Sequence, residues 1–212
     1  MKSLSLPRLY AIIDANVTER HGWTVVTLAS AYLDGGATLL QLRCRDRHTG
    51  EVLLWADELV ARAARYGARV IINDRADVAR MSGATGVHLG QEDLSVGAAR
   101  SIGGPGMAIG MSTHSSAQFH RALVQPIDYL AIGPVYGTKT KRIGDAPIGL
   151  DLVRAAVATS LGIPVVAIGG ITLDRISDVM AAGVTSVAVI ADLLRDGVPE
   201  RQVRAYLDRL EK

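Results

Sequence analysis

Short apolar runs and helix-like stretches alternate along almost the whole chain. The runs are rich in residues that favour β-structure, and each is bounded by polar or glycine-containing segments. They predict eight strands, at residues 8–13, 37–43, 69–73, 85–89, 107–111, 128–132, 164–168 and 186–190. The stretches between them predict helices at residues 23–34, 50–66, 75–81, 96–102, 115–124, 150–159, 173–181 and 200–210.

This alternation predicts an α/β fold, a closed parallel (β/α)8 barrel of the TIM type. An open doubly wound sheet is the alternative. It is disfavoured because no Gly-x-Gly-x-x-Gly pattern follows the first strand, and because polar residues gather after many strands rather than at one switch point. Since no linker-like segment divides the chain, residues 1–212 are expected to form a single catalytic domain.

Composition narrows the class of protein. Of the 212 residues, 49% are hydrophobic, which is enough for a large core. The 23 basic and 21 acidic residues are mixed along the chain, so a nucleic-acid partner is not expected. No stretch approaches 18 apolar residues and the start lacks a signal-peptide pattern, so no membrane partner is expected. The lone Cys44 fits a cytoplasmic location.

Two carboxylates follow neighbouring predicted strands. Asp74 comes directly after the third strand, and Asp93 follows the fourth. The carboxyl ends of parallel strands meet at one rim of a barrel, where Mg²⁺ commonly takes one or two carboxylates and completes its shell with water and phosphate. The pair therefore predicts an Mg²⁺ site. The alternative for each aspartate alone is that it caps the following helix.

The second strand places polar side chains on one face. Gln41, Arg43 and Arg45 alternate with Leu40 and Leu42, so the polar set is expected to point into the barrel mouth while the leucines face the helices. An unpaired cation there is costly unless it meets an anion. That anion is either a bound phosphate or a carboxylate of the barrel itself, and the residues leave both interpretations open.

The fifth and sixth strands lead into further phosphate-binding candidates. Ser112 follows the fifth strand and either donates to a phosphate or caps the next helix. Residues 133–149 form a connection too long for a turn. It contains Thr138, Thr140 and Lys141, which suits a lid that grips phosphate, although a plain solvated loop is the alternative.

The seventh and eighth strands end in small residues. Gly169 and Gly170 precede a helix that Thr172 can cap, and Ile190 and Ala191 begin the turn after the eighth strand. These two loops form the phosphate cradle of phosphate-binding barrels, because glycine lets an anion approach the backbone amides. The sequence therefore predicts two phosphate sites, one assisted by a metal and one without.

These residues resemble the thiamine phosphate synthase family, also called thiamine phosphate pyrophosphorylase. The likeness runs from Tyr10 to Ile190. Its most specific elements are Asn73-Asp74-Arg75, Gly86-Val87-His88-Leu89-Gly90-Gln91-Glu92-Asp93, the segment from Gly133 to Lys141, and Ala167-Ile168-Gly169-Gly170-Ile171.

The resemblance implies a transferase of thiamine biosynthesis that uses Mg²⁺ and small-molecule substrates. It would join 4-amino-2-methyl-5-hydroxymethylpyrimidine diphosphate to 4-methyl-5-(2-phosphoethyl)thiazole, or to its carboxylated form, and release pyrophosphate. Asp74 and Asp93 would bind the metal, and Arg43, Ser112 and Lys141 would act in catalysis. The diphosphate would be held by Gln41, Arg43, Arg45, Asn73, Ser112 and Lys141. The thiazole phosphate would be held by Thr138, Thr140, Gly170, Ile190 and Ala191.

Two residues depart from the family pattern. Arg45 stands where lysine is usual, which keeps the charge but changes its shape. Ala191 stands where a serine is common, so weaker binding of the thiazole phosphate is expected. A homo-oligomer is possible.

Two other functions are compatible with this resemblance. The first is a tautomerase-like isomerase of the thiazole phosphate, whose catalytic histidine is expected in the loop after the sixth strand. Here that loop has Pro134 and no histidine between Gly133 and Gly149. The second is a non-catalytic thiamine-phosphate binding protein, which only Ala191 favours.

Overall fold

The strands form a closed parallel barrel, which confirms the predicted (β/α)8 fold. The computed structural model describes residues 5–137 and 146–211. Each strand pairs with its neighbours in chain order, and the eighth pairs with the first. The strands are β1 (Leu9–Asp14), β2 (Leu39–Arg43), β3 (Arg69–Asn73), β4 (Gly86–Leu89), β5 (Ala108–Thr113), β6 (Tyr129–Ile132), β7 (Val165–Ile168) and β8 (Ser186–Val189).

Helices surround the barrel close to the predicted positions. They are α1 (Ala15–Arg20), α2 (Val25–Asp34), α3 (Thr49–Arg65), α4 (Ala76–Ser82), α5 (Val96–Gly103), α6 (Ser116–Leu123), α7 (Gly149–Ala158), α8 (Ile176–Ala181) and α9 (Pro199–Leu210), with 3₁₀ turns at Leu173–Arg175 and Ala191–Leu194. Within the two described ranges, no helix is both long enough and apolar enough to cross a membrane.

The short helix α1 was not predicted. It has six residues and begins directly after β1, where Asp14 accepts a hydrogen bond from the backbone N–H of Val17 at 3.0 Å. Six residues are too few to establish a helical period in the sequence. The capping aspartate is the only local signal of this helix, and it also brings the Asp14 carboxylate to the barrel rim.

Side-chain alternation in the strands separates two apolar layers. Leu40 and Leu42 of β2 pack outward against the helices, whereas Leu39 belongs to a second cluster inside the barrel. The inner cluster also contains Tyr10 and Tyr129. Gln41 has the same parity as Leu39 and is buried in the interior, as predicted from the two-residue period of a strand.

Glycines end several helices and let the start of the β6 loop lie against β7. Gly83 closes α4 in the left-handed conformation with φ of 70°, which glycine adopts without a steric cost. A Cβ at Gly133 would lie 2.0 Å from the Ile168 carbonyl oxygen. Because glycine occupies that position, the N–H of Val135 can donate to the same oxygen at 2.9 Å. The loop therefore begins as an extension alongside β7.

Candidate active site

Most of the predicted site residues lie at or near the carboxyl rim of the barrel. The described ones come from β2, β3, β5 and the loops that follow β2, β3, β4, β7 and β8: Gln41, Arg43, Arg45, Asn73, Asp74, Asp93, Ser112, Gly170, Ile190 and Ala191. Thr138, Thr140 and Lys141 lie outside the described residues.

Asp74 and Asp93 interact directly, as their positions after neighbouring strands predict. Burial is the largest cause that raises the pKa of Asp74 to about 7, followed by a hydrogen bond with Asp93 and repulsion from its charge. Arg45 and Arg43 act in the opposite direction without cancelling this rise. The nearby arginines therefore do not supply enough positive charge to keep both carboxyl groups of the pair fully ionised at neutral pH.

Neither aspartate caps a helix. Arg75 occupies the cap position of α4 without a side-chain hydrogen bond, and Ser95 caps α5. Asp93 instead accepts from the backbone N–H of Gly90 at 2.7 Å. Asp74 has a left-handed backbone, with φ of 64°, and its N–H donates to the His88 carbonyl at 2.8 Å. The capping interpretation is wrong for both residues.

The oxygen-rich pair fits a hard divalent cation. Across residues 5–137 and 146–211, no group of three or more histidine, cysteine or acidic side chains surrounds a common point. Asp74 and Asp93 would therefore supply the carboxylate ligands, and the remaining ligands would be water and substrate oxygens. That division is typical of Mg²⁺ bound together with a diphosphate.

Arg43 already has a partner within the barrel. Its guanidinium pairs with the carboxylate of Asp14, and both side chains are largely buried. Of the two interpretations that the sequence left open, the internal ion pair is therefore present for Arg43. Arg45 differs, because its side chain is half exposed and its Nε lies 3.7 Å from Oδ2 of Asp74. A guanidinium carries five N–H donors, so pairing with one carboxylate leaves others for a ligand.

A row of hydrogen-bonded polar side chains crosses the barrel interior. Nε2 of Gln41 donates to the Tyr10 hydroxyl at 2.7 Å, and the hydroxyls of Tyr10 and Tyr129 are 3.0 Å apart. The Tyr129 hydroxyl is 3.0 Å from Nδ1 of His88, whose Nε2 is 2.8 Å from Oγ of Ser112. His88 is thus a buried, hydrogen-bonded residue of the barrel interior. Ser112 does not cap α6, since Ser115 performs that role.

A cavity of about 340 Å³ opens beside the ends of β7 and β8, where the sequence predicts a phosphate cradle. Its lining includes Gly170, Ile190 and Ala191. Gly170 has φ of 64°, and a Cβ there would lie 2.6 Å from the carbonyl oxygen of Gly137. Only glycine satisfies both the backbone conformation and the close approach.

Two arginines that the sequence analysis did not select also line this cavity. The guanidinium of Arg175 lies 4.5 Å from the ring centroid of Tyr136 and donates to the Gly170 carbonyl at 3.3 Å. Arg195 lies 3.7 Å from Asp174. Arg175 lies within a 3₁₀ turn and Arg195 follows one, so neither belongs to the periodic pattern of a strand or a helix. For Arg175 the available signal was a cation shortly after the Gly169-Gly170 pair, whereas no such pair lies next to Arg195.

The role predicted for Thr172 is wrong. Thr172 occupies the cap position of the turn at Leu173–Arg175, but its side chain makes no capping hydrogen bond. Oδ2 of Asp192 accepts from the backbone N–H of Leu173 at 3.0 Å instead. The same oxygen accepts from the hydroxyl of Tyr206 at 2.6 Å. Asp192 thus joins the loops after β7 and β8, a contact that local sequence does not indicate.

Comparison with known proteins agrees with this geometry. The sequence pattern of the family described as "Thiamine monophosphate synthase" matches residues 9–193. The thiamine-phosphate synthase of Koribacter versatilis is 45% identical over 209 residues, which cover 98% of this chain and 97% of that protein. The Thermus thermophilus thiamine-phosphate synthase is 41% identical over 208 residues, with 97% and 98% coverage.

A solved structure is also similar over nearly its full length. The thiamine phosphate pyrophosphorylase from Pyrococcus furiosus superimposes with a TM-score of 0.87 at 32% identity, covering 96% of this chain and 95% of that one. The match of sequence and fold extends through both strand pairs that carry the rim aspartates and the cavity. The chain therefore belongs to the thiamine monophosphate synthase family.

Proposed function

We propose that this protein is a thiamine phosphate synthase. It condenses 4-amino-2-methyl-5-hydroxymethylpyrimidine diphosphate with 4-methyl-5-(2-phosphoethyl)thiazole and releases pyrophosphate; from the carboxylated form of the thiazole it would also release CO2. The observation that carries the proposal is the presence of two different anion sites at one rim. The Asp74–Asp93 pair with its neighbouring arginines suits a metal-bound diphosphate, and the glycine-lined cavity suits a monophosphate.

The residues present at the first site fit Mg²⁺. Asp74 and Asp93 would hold it, because their carboxylates repel each other and require a cation when both are ionised. When bound, Mg²⁺ supplies positive charge that neutralises the diphosphate and stabilises it as a leaving group.

Binding of the diphosphate is assigned to the cations and polar groups around this pair. Asp14 holds the guanidinium of Arg43 at the rim, so its remaining N–H groups can donate to phosphate oxygens. Ser112 and Asn73 would add neutral donors. Lys141, which lies outside the described residues, would add a further cation. Loss of one such cation is expected to cost about 3 kcal/mol, roughly a hundredfold in rate.

The reaction needs the two substrates to be correctly oriented, and it does not need a nucleophile from the protein. The C–O bond between the pyrimidine methylene and the diphosphate breaks, and pyrophosphate leaves with the electron pair. The thiazole nitrogen then forms the new C–N bond with its own lone pair. Gly170 would admit the thiazole phosphate to the cavity, which Ile190 and Ala191 also line. Thr138 and Thr140, which lie outside the described residues, are proposed to bind the same phosphate. The protein's part is to hold both substrates in line and to stabilise the departing charge.

The test combines purified protein, both substrates and Mg²⁺ and measures thiamine phosphate and pyrophosphate. The expected result is equal formation of both products, lost in Asp74→Asn and Asp93→Asn and kept in Asp77→Asn. Asp77 is a suitable control because it lies in the first turn of α4, where its half-exposed side chain pairs with Arg75. Absence of product at saturating substrates contradicts the synthase assignment. Incubation with thiazole phosphate alone tests the isomerase, and the expected result there is no conversion.

A further inference from the structure

The polar row across the barrel contains three residues that the proposed reaction does not use. Its ends, Gln41 on β2 and Ser112 on β5, are assigned to the pyrimidine diphosphate. Its middle members are Tyr10, Tyr129 and His88, which are at most 6% exposed. Buried hydroxyl and imidazole groups are nearly always hydrogen-bonded, so the donors and acceptors along this row constrain one another.

The backbone is built to bring this row together. His88, Gly110 and Tyr129 are in register on three consecutive strands. A Cβ on Gly110 would lie 2.0 Å from the Cζ of Tyr129, so the missing side chain lets the tyrosine ring lie across β5. The ring stacks on His88 with centroids 5.5 Å apart and an angle of 24° between the planes. Glycine at position 110 is therefore what connects the tyrosine to the histidine.

The donors and acceptors available at each residue determine the direction in which the hydrogen bonds of the row run. Nε2 of Gln41 has only protons to offer, so it donates to the Tyr10 oxygen. Burial raises the pKa of both tyrosines above the usual value, so each keeps one proton. The Tyr10 proton then points at the Tyr129 oxygen, because Nε2 of Gln41, the other neighbour of the Tyr10 hydroxyl in the row, cannot accept it. Tyr129 in turn donates to Nδ1 of His88.

The direction continues through the imidazole to Ser112. Since Nδ1 of His88 accepts, a neutral ring carries its proton on Nε2, which donates to Oγ of Ser112. We propose that Tyr10, Tyr129 and His88 are positioning residues, which keep the serine proton of Ser112 directed at the diphosphate. This inference rests on the proposed function for the identity of that anion.

The reverse direction would have the opposite effect on the ligand. If Gln41 presented its carbonyl oxygen to Tyr10, each bond in the row would turn round, and Ser112 would donate to His88. Only lone pairs of the serine oxygen would then face the phosphate, and these repel it. The row thus couples the amide orientation of Gln41 to the donor character of Ser112 on the far side of the barrel.

The first test is the tautomer of His88, measured by the ¹⁵N chemical shifts of its ring. The His88→Gln variant assigns the signal. The expected result is a neutral ring with the proton on Nε2, and a change of that signal in Tyr129→Phe. The matched control is Tyr32→Phe, since the Tyr32 hydroxyl is buried and has no hydrogen-bond partner among the described residues. A proton on Nδ1 in the unmodified protein would overturn the inference.

The second test is a double-mutant cycle on binding of Mg²⁺-pyrophosphate, measured by calorimetry. Ser112→Ala and Tyr129→Phe are each expected to weaken binding by about tenfold or more, the effect of one hydrogen bond to a charged group. The double variant should be no weaker than Ser112→Ala, because Tyr129 acts only through the serine. If the effects of the two single variants multiply in the double variant, Tyr129 and Ser112 act independently and the inference is wrong. If Tyr129→Phe does not fold, Tyr10→Phe interrupts the same row.

These outcomes separate the inference from the proposed function. Product formation together with a proton on Nδ1 would reject the inference alone. Failure to form thiamine phosphate, combined with the Nε2 tautomer and a coupled cycle, would reject the synthase assignment and leave the serine orientation intact.

Discussion

The carboxyl groups of Asp74 and Asp93 share a hydrogen bond at the barrel rim, where burial first and the neighbouring Asp93 second raise the pKa of Asp74 to about 7. Burial, a shared hydrogen bond and charge repulsion all favour one retained proton. The protein therefore holds a partly protonated acidic pair at the place where the diphosphate and its metal are proposed to bind.

The first prediction from this acidic pair concerns the pH dependence of the stability of the folded protein. A carboxyl group whose pKa is higher in the folded than in the unfolded protein reduces stability as pH rises from about 4 to about 7. Asp93→Asn removes the repulsion, so its free energy of unfolding should exceed that of the unmodified protein by about 1 kcal/mol at pH 8, allowing for partial exposure of the site. The difference should vanish near pH 4. Urea unfolding at both pH values measures it, with Asp151→Asn, in an exposed helical ion pair, as the control.

The second prediction concerns the protons that the acidic pair releases when a metal ion binds. A protonated Asp74 has to lose its proton before it can bind a cation, so cation affinity should fall as pH drops below about 7. Calorimetry in two buffers with different ionisation enthalpies, with Mn²⁺ as a probe that accepts the same oxygen ligands, should give nearly one proton released at pH 6 and few at pH 8. In Asp74→Asn the release should disappear. Equal release at both pH values would contradict the shared proton.

The ion pair between Asp14 and Arg43 should contribute to stability as well as to the site. Asp14→Asn leaves the largely buried cation without its counter-charge, so the expected loss is about 3 kcal/mol in the free energy of unfolding. Glu19→Gln breaks the more exposed pair with Arg47 and should cost less than about 1 kcal/mol. Chemical denaturation of both variants distinguishes them. Similar losses would mean that burial does not set the strength of the Asp14 pair.

Gly170 and Gly67 provide a matched comparison for the cavity. Both have φ of 64°, but a Cβ at Gly170 would lie 2.6 Å from a carbonyl oxygen, while one at Gly67 would have no neighbour within 4 Å. Gly67→Ala should therefore lower the free energy of unfolding by only about 1 kcal/mol, the cost of placing alanine in the left-handed backbone conformation. Gly170→Ala should cost at least twice as much and should raise KM for the thiazole phosphate. Unchanged KM in a folded Gly170→Ala protein would place the phosphate elsewhere.

Restoring a hydroxyl at position 191 tests the second departure from the family pattern. Ala191 lines the cavity, so Ala191→Ser can add one donor to a bound phosphate. A hydrogen bond to a charged group contributes about 1.5 kcal/mol, which predicts a KM for the thiazole phosphate lower by roughly tenfold. Steady-state kinetics should show no change in KM for the pyrimidine diphosphate. An unaltered thiazole phosphate KM would indicate that backbone amides and the nearby arginines already satisfy the phosphate.

Local sequence patterns were sufficient for the barrel and for part of its rim. The two-residue period of β2 correctly separated Gln41 from Leu40 and Leu42, because side chains of any strand alternate between its two faces. The positions of Asp74 and Asp93 after neighbouring strands likewise predicted their contact, since parallel strands end on the same side. These features depend on periodicity and strand order, which a sequence records directly.

Only the tertiary structure decided which polar groups meet. The hydroxyls of Tyr10 and Tyr129 hydrogen-bond across 119 residues of sequence, and Arg43 pairs with Asp14 across 29. Such contacts require barrel closure, the register of each strand pair and, at Gly110, the space left by a missing side chain. The amino-acid sequence thus determined which groups point into the barrel. Closure determined their partners, because hydrogen bonds depend on distances of a few ångströms that no local pattern specifies.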